Sequence, residues 1–214
     1  SIISHRMILN RYSLFCVYKA ISWQETISYM KDQKDILCPD LCSILNGQDA
    51  TYENLYTSFV EYCSRIDGQI HLVGLSLGGI IAMNYALDFP EKVKTLVVIG
   101  TPHKIPKVAF EIQNVIFRFF PKSVFKEMAF DKKDTFALGN SIKKLEIADR
   151  MQEIKCPVLV ICGEKDCANK KSAYYFSENI ENVALCMIEK TGHVVNEENP
   201  KELARILNEY YDGK

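Results

Sequence analysis

The stretch Ile70-His71-Leu72-Val73-Gly74-Leu75-Ser76-Leu77-Gly78-Gly79 decides how this chain folds. Ile70–Val73 is a short apolar run, and the pattern G-x-S-x-G follows it without a gap. Gly78–Phe89 then has helical length, is rich in Ile, Ala, Met and Leu, and stops at Pro90. Strand, turn and helix are thus expected in immediate succession. A turn that sharp forces its serine into a strained backbone conformation. Side chains on either flank would collide with strand and helix, so glycine is favoured on both sides. The hydroxyl is lifted above the sheet, and the N–H of Leu77, at the new helix's N-terminus, faces any oxyanion that develops there. Alone, the pattern is weak: with Gly and Ser each near 7% of residues, about one chain in ten or twenty of this length carries it by chance. An ordinary Gly-rich turn before a helix is the competing reading, and the flanking strand and helix argue against it.

Outward from the elbow the same alternation continues. Leu96–Ile99, Val158–Cys162 and Val183–Ile188 are short, largely apolar runs, as expected for strands of a parallel sheet, the first two buried on both faces. Asn169–Asn179 reads as a helix between the last two. The final helix is expected to begin with Asn199 as cap, Pro200 at its first position and Glu202 placed for a capping box. Leu203, Ile206, Leu207 and Tyr210 form its apolar stripe. Ile36–Cys38 and, more weakly, Tyr12–Tyr18 are further strand candidates, while residues 1–11 resist assignment. The predicted class is α/β, a mostly parallel sheet flanked by helices.

Residues 103–154 interrupt the rhythm. They hold no convincing strand and read as helices over Ile105–Phe120, Lys122–Met128 and Ser141–Met151. The expected organisation is a core of residues 1–102 and 155–214 with a helical cap of residues 103–154 inserted. Seven of the eleven Phe residues fall in this cap. Phe110, Phe117 and Phe120 lie off its main packing face and are candidates for an apolar pocket over Ser76, with a plain helical core layer as the equal alternative.

A serine at its ordinary pKa is a poor nucleophile; it needs a base, and the base needs an orienting acid. Of the four histidines, His5 sits in the unassigned leader, His71 lies inside the strand feeding the elbow, and His103 opens the cap. His193 follows Val183–Ile188 on a loop, which puts it at the same sheet edge as Ser76. It is the best candidate base. Asp166, in Gly163-Glu164-Lys165-Asp166 after Val158–Cys162, is the candidate acid, with Glu164 as its neighbouring competitor. The chain order Ser, Asp, His is the order this fold type uses.

These residues resemble the α/β-hydrolase superfamily, in particular its small capped esterase- and lipase-like serine hydrolases. The matching pieces are His71–Gly79, Pro157–Asp166, Gly192-His193 and Pro39-Asp40-Leu41, and the likeness runs from about residue 22 to 212. The resemblance implies a triad at the sheet's carboxyl edge, a cap after the family's sixth strand, no cofactor and an acyl-serine intermediate. One departure stands out. The family usually carries His-Gly after its third strand, where a loop N–H completes the oxyanion hole; here the first glycine is Gly47, and any second donor would lie near Phe15–Tyr18. The leader is short for the family's first two strands, and the chain begins with Ser1, so a truncated or catalytically impaired relative is an alternative expectation.

Bulk composition excludes several classes. The 214 residues are 48% hydrophobic and 25% charged, and 26 Lys plus Arg nearly balance 27 Asp plus Glu, which leaves no footprint for nucleic acid. No apolar run approaches a bilayer span, so stable membrane insertion is not expected. Cys38/Cys42 and Cys162/Cys167 have the wrong spacing for zinc, and no metal site is predicted. Reduced thiols and a reducing, cytoplasmic compartment are the expectation. The expected reaction is hydrolysis of a small hydrophobic acyl or aromatic ester. Carbon–carbon, thioester and aminoacyl or peptide bond cleavage remain open, because one triad serves many reactions.

Overall fold

A computed structural model describes residues 12–15, 20–33, 36–104, 132–142 and 148–212. Its strands are β1 (Tyr12–Phe15), β2 (Ile36–Leu37), β3 (Ile70–Leu75), β4 (Val93–Ile99), β5 (Val158–Gly163) and β6 (Val183–Ile188). They form one sheet in the order β2-β1-β3-β4-β5-β6, and every pairing is parallel. The sheet and its flanking helices match the predicted class.

Parallel strands must be joined by crossovers, so helices cover both faces and both need apolar side chains. The central strands divide their residues accordingly. Leu72, Leu96, Val98, Val158, Val160 and Cys162 enter one core. Val73, Leu75, Val97, Ile99, Leu159 and Ile161 enter the other. The first core is closed by α2 (Leu41–Leu45), α3 (Tyr52–Ser64), α4 (Leu77–Asp88) and α6 (Lys170–Asn179). Packed between sheet and neighbouring helices, α4 is apolar almost all round, as a fully buried helix must be. The second core is closed by Trp23, by α1 (Gln24–Ser28) and by α8 (Pro200–Asp212), which buries Leu203, Ala204, Ile206, Leu207 and Tyr211 and exposes Lys201 and Arg205.

Several local expectations need correction. Asn199 does precede α8, but its amide donates to Thr191 Oγ1 (3.3 Å), and Glu202 accepts from Arg205 Nε (2.8 Å) instead of closing a capping box. A short helix, α7 (Val195–Glu198), also intervenes before Asn199. Where a helix over Ser141–Met151 is expected, the described residues form α5 (Lys132–Ile142) and, over Ala148–Glu153, a 3₁₀ turn. Arg150 bonds Glu153 three residues on (3.1 Å), the spacing of a three-residue turn, while Met151 is buried beneath. The candidate helices Ile105–Phe120 and Lys122–Met128 lie outside the described residues, as do residues 1–11. Helix α3 has no counterpart in the sequence reading, although Thr51 caps it by accepting from the Asn54 N–H (3.2 Å).

One core residue is expected to give the fold an acid-sensitive contribution. His71, 2% exposed, has its Nδ1 2.7 Å from Thr95 Oγ1 and its ring edge-on to Tyr211 at 5.0 Å. Burial, helped by the charge of Lys94, lowers its pKa from 6.5 to about 4. The unfolded chain therefore takes up a proton near pH 6.5 that the folded chain refuses until about pH 4. The contribution of His71 to stability is full above pH 6.5 and is expected to fall between those values, by an amount on the order of 2–3 kcal/mol. Chemical denaturation across pH 7 to 4 is expected to show this slope, and His71→Gln to remove most of it. An unchanged slope in the variant would place the acid sensitivity elsewhere.

Candidate active site

Because all strands run the same way, the loops after β3, β4, β5 and β6 open at one rim. Ser76 directly follows β3. Its backbone has φ 54° and ψ −115°, a left-handed strain uncommon for a residue with a side chain. Its N–H donates to the Ile99 carbonyl (2.8 Å), and its own carbonyl accepts from Gly79 and Ile80 (3.0 and 3.2 Å), so β4 on one side and α4 on the other hold the strain. The glycines around it are sterically required. A Cβ on Gly74 would lie 2.3 Å from the Gly78 carbonyl oxygen, and one on Gly79 would lie 1.9 Å from Thr101 Oγ1. Leu77 opens α4, so its N–H is among the first four of the helix, which have no intrahelical acceptor.

Two further loops converge beside this elbow. Gly163 ends β5, and a Cβ there would lie 2.0 Å from the Gly192 carbonyl oxygen, so the β5 and β6 loops cross in direct contact. That crossing joins Asp166 and His193, with Asp166 Oδ2 2.8 Å from His193 Nδ1. Asp166 is 4% exposed. Burial alone would raise its pKa, but the hydrogen bonds from His193 and Asn169 and the attraction of the ring outweigh this, so it sits below the ordinary carboxylate value. Nδ1 is the ring nitrogen that faces the carboxylate, which orients the ring with Nε2 on its other side. Gly100, after β4, lies beneath the pair: a Cβ there would come within 3.0 Å of His193 Nδ1 and 3.2 Å of Asp166 Oδ2.

The structure thus brings Asp166 and His193 into contact and puts Ser76 at the same rim, one strand away through Ile99 and Gly100. Among the described residues, no hydrogen bond joins the Ser76 hydroxyl to the His193 ring. Such bonds are often long or unformed before substrate arrives. Glu164, the competing acid, is turned away and accepts from the Lys190 N–H (3.0 Å). His71 is in the core, and His103 Nδ1 lies 2.9 Å from Ser172 Oγ. His5, Phe110, Phe117 and Phe120 lie outside the described residues. So do residues 16–19, although β1 ends with Phe15 paired to Gly74, at the level of the elbow.

Two residues of this site have no counterpart in the sequence reading. Asn169, before α6, reaches both Asp166 oxygens with its Nδ2 (3.1 and 3.0 Å) and adds its backbone N–H (3.2 Å). Glu198 accepts from the N–H of Gly192 (2.6 Å) and of Val194 (3.2 Å), the two residues flanking His193. Asparagine three positions after the candidate acid, and glutamate five after the candidate base, are signals visible only once the loops are known to meet. Among the described residues, no cluster of His, Cys, Asp and Glu is arranged to hold a metal, and no helix is long and apolar enough to cross a membrane.

The protein family described as "alpha/beta hydrolase fold" matches residues 66–122, the segment containing β3, the elbow, α4 and β4. The chain has the α/β-hydrolase fold. It is 22% identical to 3-oxoadipate enol-lactonase 2 of Acinetobacter baylyi over 84% of its own length and 79% of that protein's. It is 24% identical to Lipase 3 of a Moraxella species, over 67% of its own length and 56% of the lipase's. A solved structure of MenH from S. aureus superposes with a TM-score of 0.78, at 16% identity, covering 95% of this chain and 94% of that one.

Proposed function

We propose that the chain is a serine hydrolase that cleaves carboxylic esters of small hydrophobic acyl or aromatic groups through an acyl-Ser76 intermediate. The observation that carries this reading is a serine strained to φ 54° at a strand-helix junction, on the same rim as a carboxylate-imidazole pair 2.8 Å apart. In the first step the Ser76 oxygen attacks the ester carbonyl carbon while His193 Nε2 takes the hydroxyl proton. The Leu77 N–H stabilises the resulting oxyanion. Collapse of the tetrahedral intermediate breaks the bond to the alcohol, which leaves with the proton from His193. Water then attacks the acyl carbon with His193 again as base, releasing the acid and restoring Ser76. Asp166 keeps the ring oriented and supports its charge, and Asn169 and Glu198 hold the acid and the base loop in place. Residues 103–154 are read as the cap over this rim. Cys63, Cys156, Cys162, Cys167 and Cys186 are free thiols, which fits a reducing, cytoplasmic setting.

A second reading keeps the triad and changes the bond, to a thioester, a carbon–carbon or an aminoacyl or peptide bond. The spread of activities named for the relatives, from a lipase to an enol-lactonase, favours keeping it open. The test common to both is covalent. A fluorophosphonate probe is expected to label the protein, and Ser76→Ala to lose the label. Equal labelling of both proteins would overturn the proposal. A site with Leu77 as its one oxyanion donor would be slower by about 10²–10³ but would still label.

A further inference from the structure

Beside Ser76 lies a cavity of about 680 Å³ with a divided chemistry. Its apolar lining comes from the buried Leu77, Ile80 and Ile142 and from the exposed Ala168. Its other lining groups include two lysines, Lys104 and Lys171, on separate segments. Among the described lining residues there is no aspartate or glutamate, and among the described residues no acid forms an ion pair with either lysine. The polar pair between them is already committed, since His103 Nδ1 contacts Ser172 Oγ (2.9 Å) and the ring stacks on Tyr175 (4.4 Å). Burial, and then the charge of Lys104, lowers the pKa of His103. Lys171 also lies in the first turn of α6, where the helix macrodipole disfavours a cation and an acidic residue would be the stabilising choice.

We infer that this cavity selects substrates whose acyl chain is apolar next to the scissile carbonyl and ends in an anionic group, a carboxylate in the simplest case. The apolar wall takes the methylene chain, and Lys104 and Lys171 attract the terminal charge. This rests on the serine-hydrolase reading for its chemistry, but substrate selection is measurable apart from turnover. Both lysines are exposed, so their attraction for an anion is screened by salt and contributes selectivity and encounter rate more than a tight ion pair.

The test compares 4-nitrophenyl hexanoate with 4-nitrophenyl monoadipate, which share leaving group and chain length and differ in the terminal carboxylate. In 10 mM salt the kcat/KM ratio is expected to favour the monoadipate by about 10-fold, and to shrink towards one in 0.5 M salt. In Lys104→Met/Lys171→Met the low-salt ratio is expected to fall to about one. Binding of the same two esters to the Ser76→Ala protein, measured by calorimetry, is expected to show the same order. A ratio of one or below in the unaltered protein, or a ratio the double variant leaves in place, would overturn the inference. Preferential binding of the monoadipate without turnover of either ester would leave it standing and remove the hydrolase reading instead. Turnover of both esters without preference would do the reverse.

Discussion

Replacing either Ser76 or His193 by alanine is expected to lower kcat for a 4-nitrophenyl ester by roughly 10⁴–10⁶-fold, and replacing both to lower it little further. The two residues act in one step, a nucleophile and the base that takes its proton, so removing one leaves the other nothing to do. Residual rate would come from the Leu77 N–H and from binding. Asp166→Ala should be milder, because the ring keeps its position in part through the loop that Glu198 holds by the Gly192 and Val194 N–H groups. The measurement is the full cycle of single and double variants on one ester. Losses that multiply would mean that the two side chains work independently, which the proposed mechanism forbids.

Gly74→Ala is expected to disable the elbow itself. The added methyl would meet the Gly78 carbonyl oxygen at 2.3 Å, its carbon at 2.4 Å and the Gly79 nitrogen at 2.5 Å. All three are backbone atoms of the first turn of α4, so no side-chain rotation relieves the clash, and strand and helix must separate. A loss of about 1–3 kcal/mol in stability is expected, together with near-complete loss of probe labelling as Ser76 shifts relative to the rim. Gly68→Ala gives the contrast. Gly68 has φ +75° but open space around it, so the cost is the left-handed backbone alone, about 1–2 kcal/mol, and labelling should persist. Thermal melts with labelling rates separate the two cases. A Gly74→Ala protein that labels at the normal rate would show that the elbow tolerates a gap the geometry does not provide.

How much of this was readable beforehand follows from the range of the forces involved. The elbow was legible because strand, turn and helix are consecutive, so one short segment carries the whole steric requirement on Gly74, Ser76 and Gly79. The parallel sheet was legible because Val158–Gly163 and its neighbours are apolar on both faces, a pattern with few other uses. Asp166 and His193 could be placed at the rim by topology, since both follow strands that point the same way. Their 2.8 Å contact could not, because it depends on the Gly163 and Gly192 backbones crossing. Asn169 and Glu198 were hidden for the same reason, being polar residues whose partners are fixed by that crossing. At the start of α8 the sequence pattern was right for a cap, but Thr191 and Arg205 compete for Asn199 and Glu202 and win. Helix α3 carries a weaker signal of the same kind, with Thr51 as cap and Leu55, Phe59 and Cys63 as its buried face.

The most direct test of the account is to find the residue that carries the phosphonyl group after fluorophosphonate treatment, by peptide mass. The account predicts one adduct per chain, on Ser76, formed far more slowly in His193→Ala. An adduct on any other residue, or none on a folded protein, would contradict it.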